Sequence, residues 1–234
     1  MARPTIREVE RYYFEQFRKH YDLPPGVVEY SDKPDVRLNG AQIIGVEIAR
    51  LYITDGADYT SEQVQIARRD RVLEQAQLLH QQGGGKKIEL TVDFDPAQPI
   101  VNIDDSALRL ANLAHEIQLQ PTTLTGSLIG NAEGLRLVHH SGEEYPNAKW
   151  RAQKVYNTRP LDSARIKSLV AEKVEKSGGY DQCDEYWLLL IVDYFDPAQD
   201  QDLVLPSEFR LEQDTFRRVL IYKPQFGQVV QVPQ

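Results

Sequence analysis

The sequence predicts an α/β fold, a mixed sheet flanked by helices, on three observations. Thr5 and Glu8 have capping-box spacing at the head of an apolar stripe of helical period. Val36 to Leu38 and Ile43 to Ile48 are β-rich segments around an Asn39-Gly40 pair, a strong short-range hairpin signal. Ser163 to Lys176 is amphipathic, and the continuous apolar run within Glu185 to Asp193 suits a central strand covered on both faces.

At 234 residues and 41% hydrophobic content the chain can build one elaborated domain or two small ones around a real core. It has no apolar run of signal-peptide length at its start and no later segment near ~20 apolar residues. A soluble cytoplasmic protein with no membrane partner is therefore expected. The single cysteine, Cys183, excludes an intramolecular disulfide and a cysteine-cluster metal site, and reads as a buried or idle thiol. A net charge of -8 argues against broad, non-specific duplex binding. Between positions 149 and 167, however, Lys149, Arg151, Lys154, Arg159, Arg165 and Lys167 face Asp162 alone. Such a strip suits a phosphate-facing surface or, equally, a solvated face.

Taken in order, Pro4 to about Tyr21 forms a helix with the stripe Ile6, Val9, Tyr13 and Phe17, ended by Pro24-Pro25-Gly26. Val27 to Tyr30 is a first short strand. In the second arm of the hairpin, Ile43, Gly45, Glu47 and Ala49 share one face, and Ile44, Val46, Ile48 and Arg50 the other. Glu47 thus lies between two small residues, with a gap beside its carboxylate. A two-residue Asn39-Gly40 turn would pair Asp35 with Ile44, on the face opposite Glu47; a three-residue loop or a bulge would pair it with Gly45 and unite the two carboxylates.

Ser61 to Gln82 reads as a helix stopped by Gly83-Gly84-Gly85, which follows a helix and lacks phosphate-loop spacing. Lys87 to Phe94 is a strand, Asp105 to Gln118 a helix, and Gly134 to His140 with Lys149 to Asn157 a hairpin-like pair. His139 and His140, adjacent on a strand, point to opposite faces and do not share a ligand cluster. The similar strings Val92 to Pro99 and Val192 to Asp200 read as strand-ending Asp-Pro turns. In the helix Ser163 to Lys176, the stripe Ile166, Leu169 and Val170 continues to Lys173, which either reaches an acidic partner or runs along the helix edge to water. Phe216 to Tyr222 and Gln228 to Val232 give one or two closing strands.

The residues Pro34-Asp35-Val36-Arg37-Leu38 and Ile44-Gly45-Val46-Glu47-Ile48-Ala49-Arg50-Leu51 resemble the metal-binding hairpin of the PD-(D/E)XK nuclease superfamily. The later spacing of Ile166, Val170, Lys173, Lys176, Tyr180 and Trp187-Leu188-Leu189 is similar to the helix and strand that follow that hairpin in some of its families. The resemblance implies a single restriction-endonuclease-like domain spanning 1–234, with an inserted helical and β region at about 53–157. It implies Mg²⁺ or Mn²⁺ held by Asp35, Glu47 and the Ile48 carbonyl, DNA or RNA as substrate, and a homodimer as one assembly it allows. The lysine that stands two residues after the glutamate in that motif is Ala49 here, so the resemblance implies a lysine from elsewhere, Lys173. It further suggests Glu10, between Ile6 and Tyr13 on the first helix, as an extra acidic group; an ordinary surface glutamate is the plainer reading.

Two competitors remain: the nuclease fold kept without catalysis, binding nucleic acid or a protein, and an unrelated α/β protein in which the motif is accidental. Geometry separates them, since carboxylates on opposite faces of the hairpin remove the enzyme.

Overall fold

The computed structural model describes residues 5–54, 56, 58–119, 125–129, 133–141, 143–153 and 159–234. In chain order the elements are α1 (Ile6–Phe17), β1 (Gly26–Tyr30), β2 (Val36–Gly40), β3 (Ile43–Arg50), α2 (Glu62–Gln82), β4 (Glu89–Phe94), α3 (Ile103–Gln118), β5 (Thr125–Ile129) and β6 (Leu135–Ser141). There follow β7 (Trp150–Ala152), β8 (Arg159–Pro160), α4 (Ser163–Lys176), β9 (Glu185–Ile191), β10 (Gln201–Asp202), β11 (Phe216–Lys223) and β12 (Gln228–Gln231). The chain divides into two compact units, Met1–Thr54 with Asn157–Gln234, and Asp55–Tyr156.

The first unit is a six-stranded mixed sheet in the order β1-β2-β3-β9-β11-β12. Strands β1, β2 and β3 are antiparallel neighbours, β3, β9 and β11 run parallel, and β12 returns antiparallel to β11. Alternation along the strands gives the sheet two apolar faces. One packs Trp187, Leu189, Ile191, Val46 and Ile48 against Tyr13, Phe14 and Phe17 of α1. The other packs Leu188, Leu190, Val219 and Ile221 against Ile166, Leu169 and Val170 of α4. Burial on both faces is why β9 reads as an unbroken apolar run. The capping box forms as the spacing requires, with the Thr5 N–H donating to Glu8 Oε2 at 2.7 Å and the Glu8 N–H donating to Thr5 Oγ1 at 3.3 Å. α1 is shorter than its sequence pattern: it ends at Phe17, where His20 Nδ1 meets the Tyr222 hydroxyl at 2.8 Å.

The second unit has its own core. Val72, Leu73 and Ala76 of α2 and Ala107, Leu110, Ala111 and Ala114 of α3 pack with Leu90 and Val92 of β4. Its sheet runs β5-β6-β4-β7. This corrects the expected hairpin between positions 134–140 and 149–157. β6 and β7 do not pair; they flank β4 on either side, β6 antiparallel and β7 parallel. The partner of β6 in the hairpin is β5, whose Thr125–Ile129 segment carries too few strong strand formers to stand out. Residues 154–157 of the expected second arm, with Lys154 of the basic strip, lie outside the described residues. His140 is buried and His139 exposed, as alternation requires.

The two Asp-Pro-Ala-Gln strings form the same turn. The N–H of Ala97 donates to Asp95 Oδ1 at 2.9 Å, and Gln98 Nε2 donates to Asp95 Oδ2 at 3.0 Å. The N–H of Ala198 donates to Asp196 Oδ1 at 3.0 Å, and Gln199 Nε2 to Asp196 Oδ2 at 2.7 Å. An aspartate before proline closes an Asx-turn on its own backbone, and the glutamine locks it. Beyond the second turn, Lys223 Nζ donates to Asp200 Oδ1 at 2.7 Å and to the Gln201 carbonyl at 2.9 Å, with both side chains 5% exposed or less.

Among the described residues, no helix is long and apolar enough to cross a membrane.

Candidate active site

The hairpin register decides where the two acidic residues point. Val36 pairs with Val46, Leu38 with Ile44 and Asn39 with Ile43, so the turn is the three residues Gly40, Ala41 and Gln42. The Asn39-Gly40 pair marks the hairpin but not its two central residues. Gly40 is instead needed beside β1, where it pairs with Gly26 and an added Cβ would collide with the Pro25 carbonyl. Continued by one residue, this ladder sets Asp35 opposite Glu47 on one face, and Asp35 Oδ2 accepts the Ile48 N–H at 2.7 Å. The cross-strand partner is thus Glu47 itself, two residues beyond the Gly45 that a three-residue loop starting at Asn39 would supply.

That face belongs to α4. Glu47 alternates with Val46 and Ile48, which contact the α1 side, while its neighbour Ala49 packs into the α4 core. The Ile166, Leu169 and Val170 stripe seats α4 on the sheet, and one further turn along it Lys173 Nζ donates to Glu47 Oε1 at 2.7 Å. The side chains of Lys173 and Glu47 are 17% and 11% exposed. Lys176 turns outward to Glu172, and Lys167 is exposed beside the Phe209 ring. The expected gap beside Glu47 is absent on its Gly45 side. A Cβ there would lie 2.7 Å from Pro34 Cγ, 2.8 Å from Tyr186 Cδ1 and 3.1 Å from Cys183 Sγ, so those three side chains already fill the space. Cys183 is part of this packing, and burial pushes its thiol up, away from nucleophilic character.

Electrostatics follow from this placement. Burial first, then the facing Glu47 carboxylate, pushes Asp35 up to about 7, against the lowering effect of the Ile48 N–H and Lys173. Glu10, half-buried on α1, is also raised, by burial and then by Glu47, with Lys173 and Arg50 opposing. It is therefore within electrostatic reach of the pair. Among the described residues no group of three or more His, Cys, Asp or Glu side chains is gathered to hold a metal ion, so Glu10 does not complete a cluster with Asp35 and Glu47. The chemistry of the donors nonetheless fits a hard cation, since the two opposed carboxylates offer oxygen alone.

One further residue faces this pair. Tyr180 follows the 3-10 turn Ser177–Gly179 at the end of α4, packs against Tyr186 and has a buried hydroxyl that lies near Glu47 without a well-formed hydrogen bond among the described residues. Burial, then the Glu47 charge, raises its pKa. In the sequence Tyr180 stands out only in the spacing of the late helix and strand, because it lies beyond the end of α4 at Lys176, where helical period no longer relates it to the Lys173 face.

No family model, curated protein or solved structure matches the chain.

Proposed function

We propose that the first unit is a divalent-metal-dependent phosphodiesterase acting on DNA or RNA, a nuclease of PD-(D/E)XK type. The observation that carries this reading is the constellation of Asp35 and Glu47 on one face of the hairpin with Lys173 Nζ 2.7 Å from Glu47. Two carboxylates forced together without a cation repel, which is the condition under which each binds a cation well.

Asp35 and Glu47, with the Ile48 carbonyl, would hold Mg²⁺ or Mn²⁺. Bound there, the cation would supply Lewis acidity, lowering the pKa of a water and offsetting charge at phosphorus. Lys173, kept in place by Glu47, would donate to the attacking water or to the leaving oxygen, the task of the missing lysine at position 49. Water adds to phosphorus, the bond from phosphorus to the leaving oxygen breaks, and the proton released by the water ends on that oxygen. Glu10 would add negative potential at the rim of the pair and take no ligand position.

A second reading is favoured by Ala49 and by the donors already engaged, Ile48 N–H on Asp35 and Lys173 on Glu47. In it the fold binds nucleic acid or a protein without cleaving. The test is incubation of labelled single- and double-stranded DNA and RNA with the protein and Mn²⁺. Cleavage by the wild type and none by Glu47→Gln supports the enzyme; retention of substrate without cleavage by either supports the binding module.

A further inference from the structure

The Tyr180 hydroxyl is a costly group to leave where it is. A buried donor without a well-formed hydrogen bond is destabilising, and such groups are few in folded proteins. Its ring is otherwise well packed. The ring packs against the α4 core and against Tyr186 at 5.7 Å between centroids. The Tyr186 hydroxyl, by contrast, is fully used, donating to the Asp181 carbonyl at 2.8 Å and accepting the Cys183 N–H at 3.1 Å. Of two neighbouring tyrosines, one is built into the loop and the other has its hydroxyl directed at the acidic pair.

The acceptors on that side are the carboxylates of Glu47 and Asp35. Glu47 Oε1 accepts from Lys173 Nζ, the Tyr180 hydroxyl lies close enough to feel the Glu47 charge, and the two residues stand seven apart, Lys173 in the last turn of α4 and Tyr180 just past its end. We propose that Tyr180 is a positioning residue for Glu47: its hydroxyl donates to the Glu47 carboxylate when that carboxylate takes a divalent cation, so that Lys173 and Tyr180 fix it from two sides. This rests on the cation-holding reading of Asp35 and Glu47. Groups that orient a ligating carboxylate typically change metal affinity by about 10–100-fold.

The proposal separates two measurements that a purely structural tyrosine would move together. In Tyr180→Phe the metal-free protein loses a buried hydroxyl that makes no well-formed hydrogen bond, so its Tm changes little. Its affinity for Mn²⁺, titrated by calorimetry, falls by about 10-fold, and the rise in Tm on adding Mn²⁺ shrinks accordingly. Tyr186→Phe behaves in the opposite way, with a lower metal-free Tm and wild-type Mn²⁺ affinity. Tyr180→Phe with wild-type Mn²⁺ affinity, whatever its Tm, overturns the assignment while the cation site stands, provided Glu47→Gln has lost binding in the same titration. Wild-type affinity in Glu47→Gln overturns the cation site itself, and the role of Tyr180 with it.

Discussion

Lys173 and Glu47, 126 positions apart in the chain, meet at 2.7 Å between Nζ and Oε1. The meeting needs α4 seated on one face of the sheet and Glu47 turned to that same face.

Lys173 and Lys176 lie three residues apart on one helix and differ in surroundings. Lys173→Met should lower Mn²⁺-dependent cleavage by about 10²-fold or more, whereas Lys176→Met, which removes an exposed pair with Glu172, should change it little. Equal small effects in a cleavage assay would deny Lys173 a catalytic place.

Asp35 supplies a pH dependence of known sign. Its folded pKa is raised to about 7 from 3.8, so the folded state binds the proton more tightly than the unfolded chain. Stability of the metal-free protein therefore falls as pH rises from about 4 to about 7 on this group's account. Asp35→Asn, whose amide oxygen can still accept the Ile48 N–H, should raise the metal-free Tm at pH 8, and the gain should vanish by pH 4. Thermal melts across that range check it; a gain independent of pH would assign the effect to something other than the carboxylate.

Much of this was legible in the residues. The capping box, the amphipathic α4 and the apolar β9 are local patterns, and each names its own element. The hairpin was legible as a hairpin but not in register, because Gly40 serves a contact with β1 that no local pattern reveals. The facing of Asp35 and Glu47 was thus one of two open alternatives. The neighbours of Gly45 come from positions 34, 183 and 186, so the filled space beside Glu47 could not be read along the strand. In the second unit, β7 reaches β4 in parallel, a long-range pairing that a turn-based reading replaces with the nearest hairpin.

The second unit offers a stability test of its own. His80 is buried against Trp150 and His115, and two glycines of the stop lie against this pair, Gly83 beside His115 and Gly85 directly over the His80 imidazole. Gly85→Ala should destabilise by about 1–3 kcal/mol through overpacking, while Gly178→Ala, with open space around it, should stay within about 0.5 kcal/mol. Denaturant melts of both variants decide whether the glycine run is a packing requirement.

The buried pair Lys223 and Asp200 predicts a large effect away from any site. Lys223→Met strands the Asp200 carboxylate and should cost about 3–5 kcal/mol. A melt within about 0.5 kcal/mol of wild type, the usual size of a surface change, would show that the pair is not buried in solution.

The most direct test of the central claim is a calorimetric titration of Mn²⁺ into the wild type, Asp35→Asn and Glu47→Gln at pH 8. The wild type should show one saturable site that is lost or weakened by at least about 10-fold in both variants. The same weak, unsaturated uptake in all three proteins would contradict it.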